Sequence, residues 1–478
     1  MRRAPTLLAA PLIAAATLLE PEPALAHGLG GRADLPIPAW LFGWAAAAVL
    51  VVSFVALAAL WTKPKLERDS WRPLPGGVGR ALASPPVEVV GGAVGVALLM
   101  LVVWSGAAGS QVTTENLAPT FVYVAFWVAL VPVSVVFGDV FRAFNPWRAA
   151  GRAIGWAASK AAGEPLTAPL RYPERLGRWP AVAGLLAFTW LELAAQDGDL
   201  PRNVALAALV YSLLTGMAMA LYGVDAWIGR GEAFSVYFNL FSRISPFERR
   251  GREVGVRRPL SGLTSFDPGL PGTVALLAVA IGGVSFDGAS EGALWAGVVP
   301  ELTDFFESLG LARGGAVEAA STVGLLATVA LVYGLYRIGV AGARTVGGGF
   351  TTDRLARAFA HSLVPIALVY VAAHYLTLLV FQGQALIPLL SDPLGRGADR
   401  LGGGGGVIDY GVIDATAVWY IQVGLVVAGH VAALTLAHDR ALVVYDRPQL
   451  AVRSQYWLLA VMIAFTSIAL WLLSQANA

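Results

Sequence analysis

Cysteine is absent from all 478 residues. That excludes disulfides, thiolate zinc sites, iron–sulfur clusters, covalently held c-type haem and a lipoprotein anchor. Any metal must be held by His, carboxylate, Met or carbonyl oxygen. Charge is also scarce: Asp, Glu, Lys and Arg make up 13% of the chain, against about 25% in a soluble domain. Lysine is almost missing, with Lys63, Lys65 and Lys160 the only three among 33 basic residues, a bias attributed to genome composition. A net charge of +2 carries no footprint for nucleic acid. There is no internal repeat, nucleotide-binding fingerprint, Ser-centred elbow or HExxH. The glycine run 402–406 lacks the Lys-Ser/Thr of a P-loop and reads as a flexible connection.

What is present is apolar length. Hydrophobic residues make up 57% of the chain, more than a water-soluble core can hide. Residues 1–26 read as a signal peptide: Arg2 and Arg3, an apolar run too short to span, then Ala24-Leu25-Ala26 as a cleavage site. About 20 apolar residues cross a bilayer, and ten such segments follow, near 40–61, 87–108, 118–138, 179–196, 203–228, 272–286, 317–336, 355–382, 411–438 and 455–473. The sixth is the shortest and weakest. The expected fold is all-α: a polytopic membrane protein of about ten transmembrane helices after a cleaved signal peptide, with 27–478 forming one integral domain in the lipid bilayer.

Orientation follows from Lys and Arg alone. Five alternate connections, 62–86, 139–178, 229–271, 337–357 and 439–454, hold 26 of the 33 basic residues, and the other connections hold five. This places the mature N-terminus and the C-terminus outside the cytoplasm, in a bacterial inner membrane. Three connections have helical patterns of their own. Asn145-Pro146 reads as a cap and first-turn proline opening an interfacial helix. Phe234, Tyr237, Phe238 and Phe241 form an aromatic stripe, expected to anchor at the membrane surface. Leu302, Phe305, Phe306 and Leu309 share a face, expected to rest on the headgroups.

Four of the five histidines lie in the eighth and ninth spans: His361 and His374, then His430 and His438. Ionisable groups at that depth are costly and usually have a reason. Counting from the ends puts His361 and His430 at similar depth on antiparallel helices, where they could share a hydrogen bond, a divalent metal such as zinc or copper, or a b-type haem. The alternative is that each satisfies a buried hydrogen bond to another helix. His361 and His374 are about 220° apart around a helix, so one metal does not take both. His27, exposed by cleavage after Ala26, offers amine and imidazole together, an arrangement suited to copper. Among the outer carboxylates, which include Asp287, Glu192 is the one most nearly within the membrane. A site joining His27, His374 and some of these acids is physically possible.

Several stretches resemble one family: HGLGGRADLPIPAWLFGW, NLAPTFVYVAFWVALVPVSVVFGDVFRAFNPWRA, RYPERLGRWPAV, AHSLVPIALVYVAAHYLTLLVFQGQ and AHDRALVVYDRPQLAVRSQYWLLAV. They are similar to bacterial multi-pass membrane proteins labelled fenitrothion hydrolase. The resemblance spans nearly the whole mature chain. It implies hydrolysis of an organophosphorus phosphotriester, an apolar small-molecule substrate, at or near the membrane, and carries no catalytic residues with it. Two other functions fit the residues: a transporter or metal-handling protein, and a b-haem electron-transfer or assembly protein.

Overall fold

The structure is a computed structural model, described here for residues 39–265, 269–402 and 406–476. The signal peptide and His27 lie outside the described residues. The chain is an all-α polytopic membrane protein. Among the described residues nine helices are long and apolar enough to cross a membrane. They are α1 (Ala39–Leu60), α2 (Pro85–Ala108), α3 (Leu117–Phe137), α6 (Pro201–Tyr222), α8 (Thr273–Ser290), α10 (Arg313–Arg344), α11 (Thr352–His374), α12 (Ala415–Val444) and α13, which begins at Tyr456. The expected fourth span is the shorter helix α5 (Trp179–Leu193). Its 15 residues rise about 22 Å, and it packs along α8. Two shorter elements matter below: α4 (Pro146–Ala162), capped by the Asn145 side chain at Arg148 N, and α7 (Ala233–Ser242).

The basic connections gather at one end of the bundle. Strand β1 (Arg72–Pro73) pairs with β3 (Glu253–Val256), which pairs with β2 (Phe247–Arg250), all antiparallel. Glu88 meets Arg148, Arg152 and Arg249 at the start of α2. Arg440 reaches Glu67 at 3.2 Å and the Thr264 carbonyl at 2.7 Å, and the Tyr445 hydroxyl donates to the Ala343 carbonyl. All five connections are thereby tied together. The other connections meet at the opposite end: Ser110 N donates to Leu394 O, Arg396 to Ala108 O, and Gln196 N to Glu318. The alternation read from Lys and Arg thus appears as two physically separate ends.

The weak sixth span is the centre of the bundle. In α8 every residue from Leu276 to Gly288 is buried. A helix that never touches lipid needs no long apolar side chains, and close packing favours small ones. A Cβ on Gly282 would sit 2.7 Å from the Val329 Cα of α10, and one on Gly283 would sit 2.6 Å from Thr189 of α5. Low hydropathy here records close packing on all sides.

The aromatic stripe corrects an expectation. Phe234, Tyr237, Phe238 and Phe241 are all buried inside protein. Tyr237 stacks on Trp127 at 4.6 Å, and Phe234 and Phe238 pack edge-on to Phe126. The stripe therefore anchors α7 to α3 and α5. Glu232 caps α7, accepting from Phe234 N and Ser235 N and from the Tyr211 hydroxyl. The outer helix is longer than expected, α9 (Ala293–Ser308), with Pro300 inside it. It leaves Phe305 and Leu309 exposed, as a helix lying against headgroups requires.

Candidate functional site

Three helix C-termini converge near the end opposite the basic connections. Glu192 is one residue from the end of α5, Asp287 three from the end of α8, and His374 closes α11. Helix C-termini carry partial negative charge in their last carbonyls, offset here in part because Ala373 O accepts from Gln422 and Asp287 O from Ser290. The side chains add two carboxyls and no Lys or Arg. His374 Nε2 lies 2.9 Å from Asp287 Oδ2. The Tyr375 hydroxyl also hydrogen-bonds to Asp287. Gly288 borders the His374 ring: a Cβ there would be in ordinary van der Waals contact with it, 3.5 Å from Nδ1.

Glu192 faces this pair from α5, within electrostatic reach of Asp287. Its Oε2 is enclosed and has no hydrogen-bond partner, although the residue keeps some outer surface. Beside it, from α7, stands Tyr237, whose buried hydroxyl also lacks a partner, as does Nε1 of the stacked Trp127. Trp127 belongs to a π-helical stretch, Phe121–Ala129, within α3, a distortion that concentrates at functional sites. Three enclosed polar atoms without partners in one neighbourhood point to a group that occupies it.

The chemistry of this donor set is selective. Glu192 Oε2 is enclosed without a partner while the residue as a whole is only half-buried, and an enclosed carboxyl oxygen favours a proton or a cation as its partner. Among the described residues no three His, Asp or Glu side chains are grouped closely enough to hold a metal ion. On the far side of His374 lies a cavity of about 20 Å³, bordered also by Ser285, Tyr370, Val426 and Ala469. That volume admits about one water.

The other histidines lie elsewhere. His361 and His430 are both buried on helices in contact, for Gly429 abuts Val369 and the Pro365 carbonyl. No hydrogen bond joins them, which departs from the facing pair expected. His361 lies near Leu436 and Arg440, whereas the His430 ring lies against Tyr370, about 13 Å further along α11 by helical rise. His430 Nδ1 donates to the carbonyl of Val426 in its own helix, so its expected bonding to another helix does not occur either. Helices touching at Gly429 leave no gap for a haem between the two rings. His438 does join helices: Nε2 donates to the Trp61 carbonyl and Nδ1 accepts from Gln455.

The sequence therefore supplied Glu192, Asp287 and His374, without showing which acid meets which base. It missed Tyr375, Tyr237 and Trp127. The only available signal was a Tyr beside His374 within an apolar span. Comparison with protein-family models, curated proteins and solved structures finds no match to this chain.

Proposed function

We propose that this protein is a membrane transporter whose coupling ion, a proton, binds at the Glu192–Asp287–His374 cluster. The observation that carries this reading is the enclosed, unpartnered Oε2 of Glu192 beside the Asp287–His374 pair. Buried ionisable groups of this kind mark ion and proton paths in membrane proteins. The negative ends of three helices favour a positive guest at the same place. With the basic connections placed in the cytoplasm by their Lys and Arg content, the cluster opens toward the outside.

The experiment is carbodiimide labelling in native membranes, followed by peptide mass spectrometry. A hydrophobic carbodiimide attacks a carboxyl that holds its proton in apolar surroundings. Labelling should map to Glu192, fall as pH rises and disappear in Glu192→Gln. A Glu192 that resists the reagent at every pH, while other enclosed carboxyls react, sinks the reading.

A second reading, hydrolysis of a lipophilic phosphotriester, is what the resemblance implies, and the Asp287–His374 dyad favours it. A carboxylate that orients an imidazole is the arrangement of a general base. Two features count for less there: a drug-sized ester needs a pocket of about 300–1,000 Å³, and the site offers carboxyls where a phosphoryl oxygen needs positive charge. Release of nitrophenol from an aryl phosphotriester by the purified protein, lost in His374→Gln, would restore the hydrolase to first place.

A further inference from the structure

The basic end holds a groove that the proton site does not use. It lies between β1, the turn before it and the chain leaving β3, with a volume of about 420 Å³ and walls made by Asp69, Ser70, Trp71, Arg72, Arg257 and Arg258. That is within the size of a small-ligand site, about 300–1,000 Å³. The walls are fixed. Arg72 is in register with Val256, Trp71 Nε1 donates to the Glu248 carbonyl, and Arg258 N donates to Ser70 Oγ.

The charges of the groove can be paired off one by one. Asp69 is held by Arg250 at 2.7 and 3.0 Å, which keeps its carboxyl at about 2. Arg257 is consumed by Glu248 at 2.9 Å and by the carbonyls of Ser242, Arg243 and Ser245. Arg72 and Arg258 remain. Neither has an acidic partner among the described residues, and Arg258 Nη1 reaches only the Lys65 carbonyl, at 3.5 Å. The Ser70 hydroxyl accepts from Arg258 N and keeps its own hydrogen to donate. Two uncommitted guanidinium groups, one from β1 and one from the chain leaving β3, lining one groove with the Ser70 hydroxyl, fit an oxyanion with several equivalent oxygens, which is a phosphate group.

Position narrows the source. The groove begins at Asp69, beyond the end of α1 at Leu60, and the intervening segment is folded back onto the end of α12 by Trp61 Nε1, Lys65 N and Leu66 N on Asp439. That is headgroup depth, where basic residues next to a span meet anionic lipid. We propose that this groove binds a phosphate group at the membrane surface, clamped by Arg72 and Arg258.

The test is native mass spectrometry of protein released from nanodiscs. The discs contain phosphatidylcholine alone, or phosphatidylcholine with phosphatidylglycerol, each with and without inorganic phosphate. Wild type is compared with Arg72→Gln/Arg258→Gln and with Arg68→Gln/Arg80→Gln, which removes two positive charges outside the groove. Wild type and the second variant should each retain one phosphatidylglycerol that the first variant loses. Retention unaffected by inorganic phosphate assigns the headgroup. A phosphate adduct that displaces the lipid, or forms without it, assigns a soluble phosphate ligand to the same clamp. If the first variant retains lipid and phosphate as wild type does, or neither binds wild type, the clamp does not exist.

Discussion

At the scale of single residues, the buried polar groups divide by whether their bonds close. His438 is complete: a carbonyl takes its Nε2 hydrogen and an amide fills Nδ1, so it is structural. Asp439 is complete too, accepting from one indole and two backbone amides. Glu192 is not, and neither are His361 and His430, whose Nε2 atoms are also unpartnered; what sets Glu192 apart is its place beside the Asp287–His374 pair. Glu67 is a third case. Burial raises its carboxyl above the usual 4.5; Arg440 opposes this and Asp439 reinforces it. An acid with a raised folded value costs stability wherever the unfolded chain would be ionised, above about 4.5, and costs nothing once both states are protonated. Glu67→Gln should therefore raise the unfolding temperature at neutral pH. The gain should shrink as pH falls and vanish below the usual carboxylate range, as a thermal-shift series against pH would report. A gain that persists in acid would locate the effect in packing instead.

At the scale of elements, the bilayer decides what is legible. A lipid-facing helix must be apolar along its whole length, so α1, α2, α6 and α10 can be read directly from sequence. A helix enclosed by protein escapes that demand, and α8 was legible only as the weakest span. The stripe on α7 was misplaced because an aromatic face has the same spacing whether it meets lipid or Trp127. Of the site, Glu192 and His374 were visible as costly residues in spans and Asp287 only as one of many outer carboxylates, and their meeting depends on how α5, α8 and α11 pack, which no spacing encodes. The packing can be tested at Gly282. A methyl group there meets Val329 backbone at 2.7 Å, and overpacking of this kind costs about 1–3 kcal/mol. Gly334, on α10, has nothing within 4 Å, so a methyl group there should be neutral or gain the roughly 1 kcal/mol of helix propensity that glycine forgoes. Gly282→Ala should lower stability in detergent and Gly334→Ala should not. Equal behaviour of the two would remove α8 from the centre of the bundle.

At the scale of the molecule, the two ends carry different chemistry, and orientation gives that difference its direction. The basic end is a hydrogen-bonded platform: a three-stranded sheet, the Glu88 cluster, the Arg440–Glu67 contact and the Tyr445–Ala343 hydrogen bond join five connections that are far apart in sequence. The opposite end holds the acidic cluster, beneath loops that carry only five basic residues. Positive connections are retained in the cytoplasm during insertion, and on that ground we propose that the platform faces inward and the cluster outward. The prediction uses positions from both ends. Reporter fusions after Arg80, Arg178 and Arg258 should be active only as cytoplasmic reporters, and fusions after Asp199 and Arg400 only as exterior ones. The structure makes the test stricter than the count of charges alone. Because the five basic connections touch one another, they must all report the same compartment. A single basic connection reporting the exterior would contradict the packing, whereas a wholesale inversion would leave the packing intact, turn the proton site toward the cytoplasm and reverse the direction from which Glu192 is protonated.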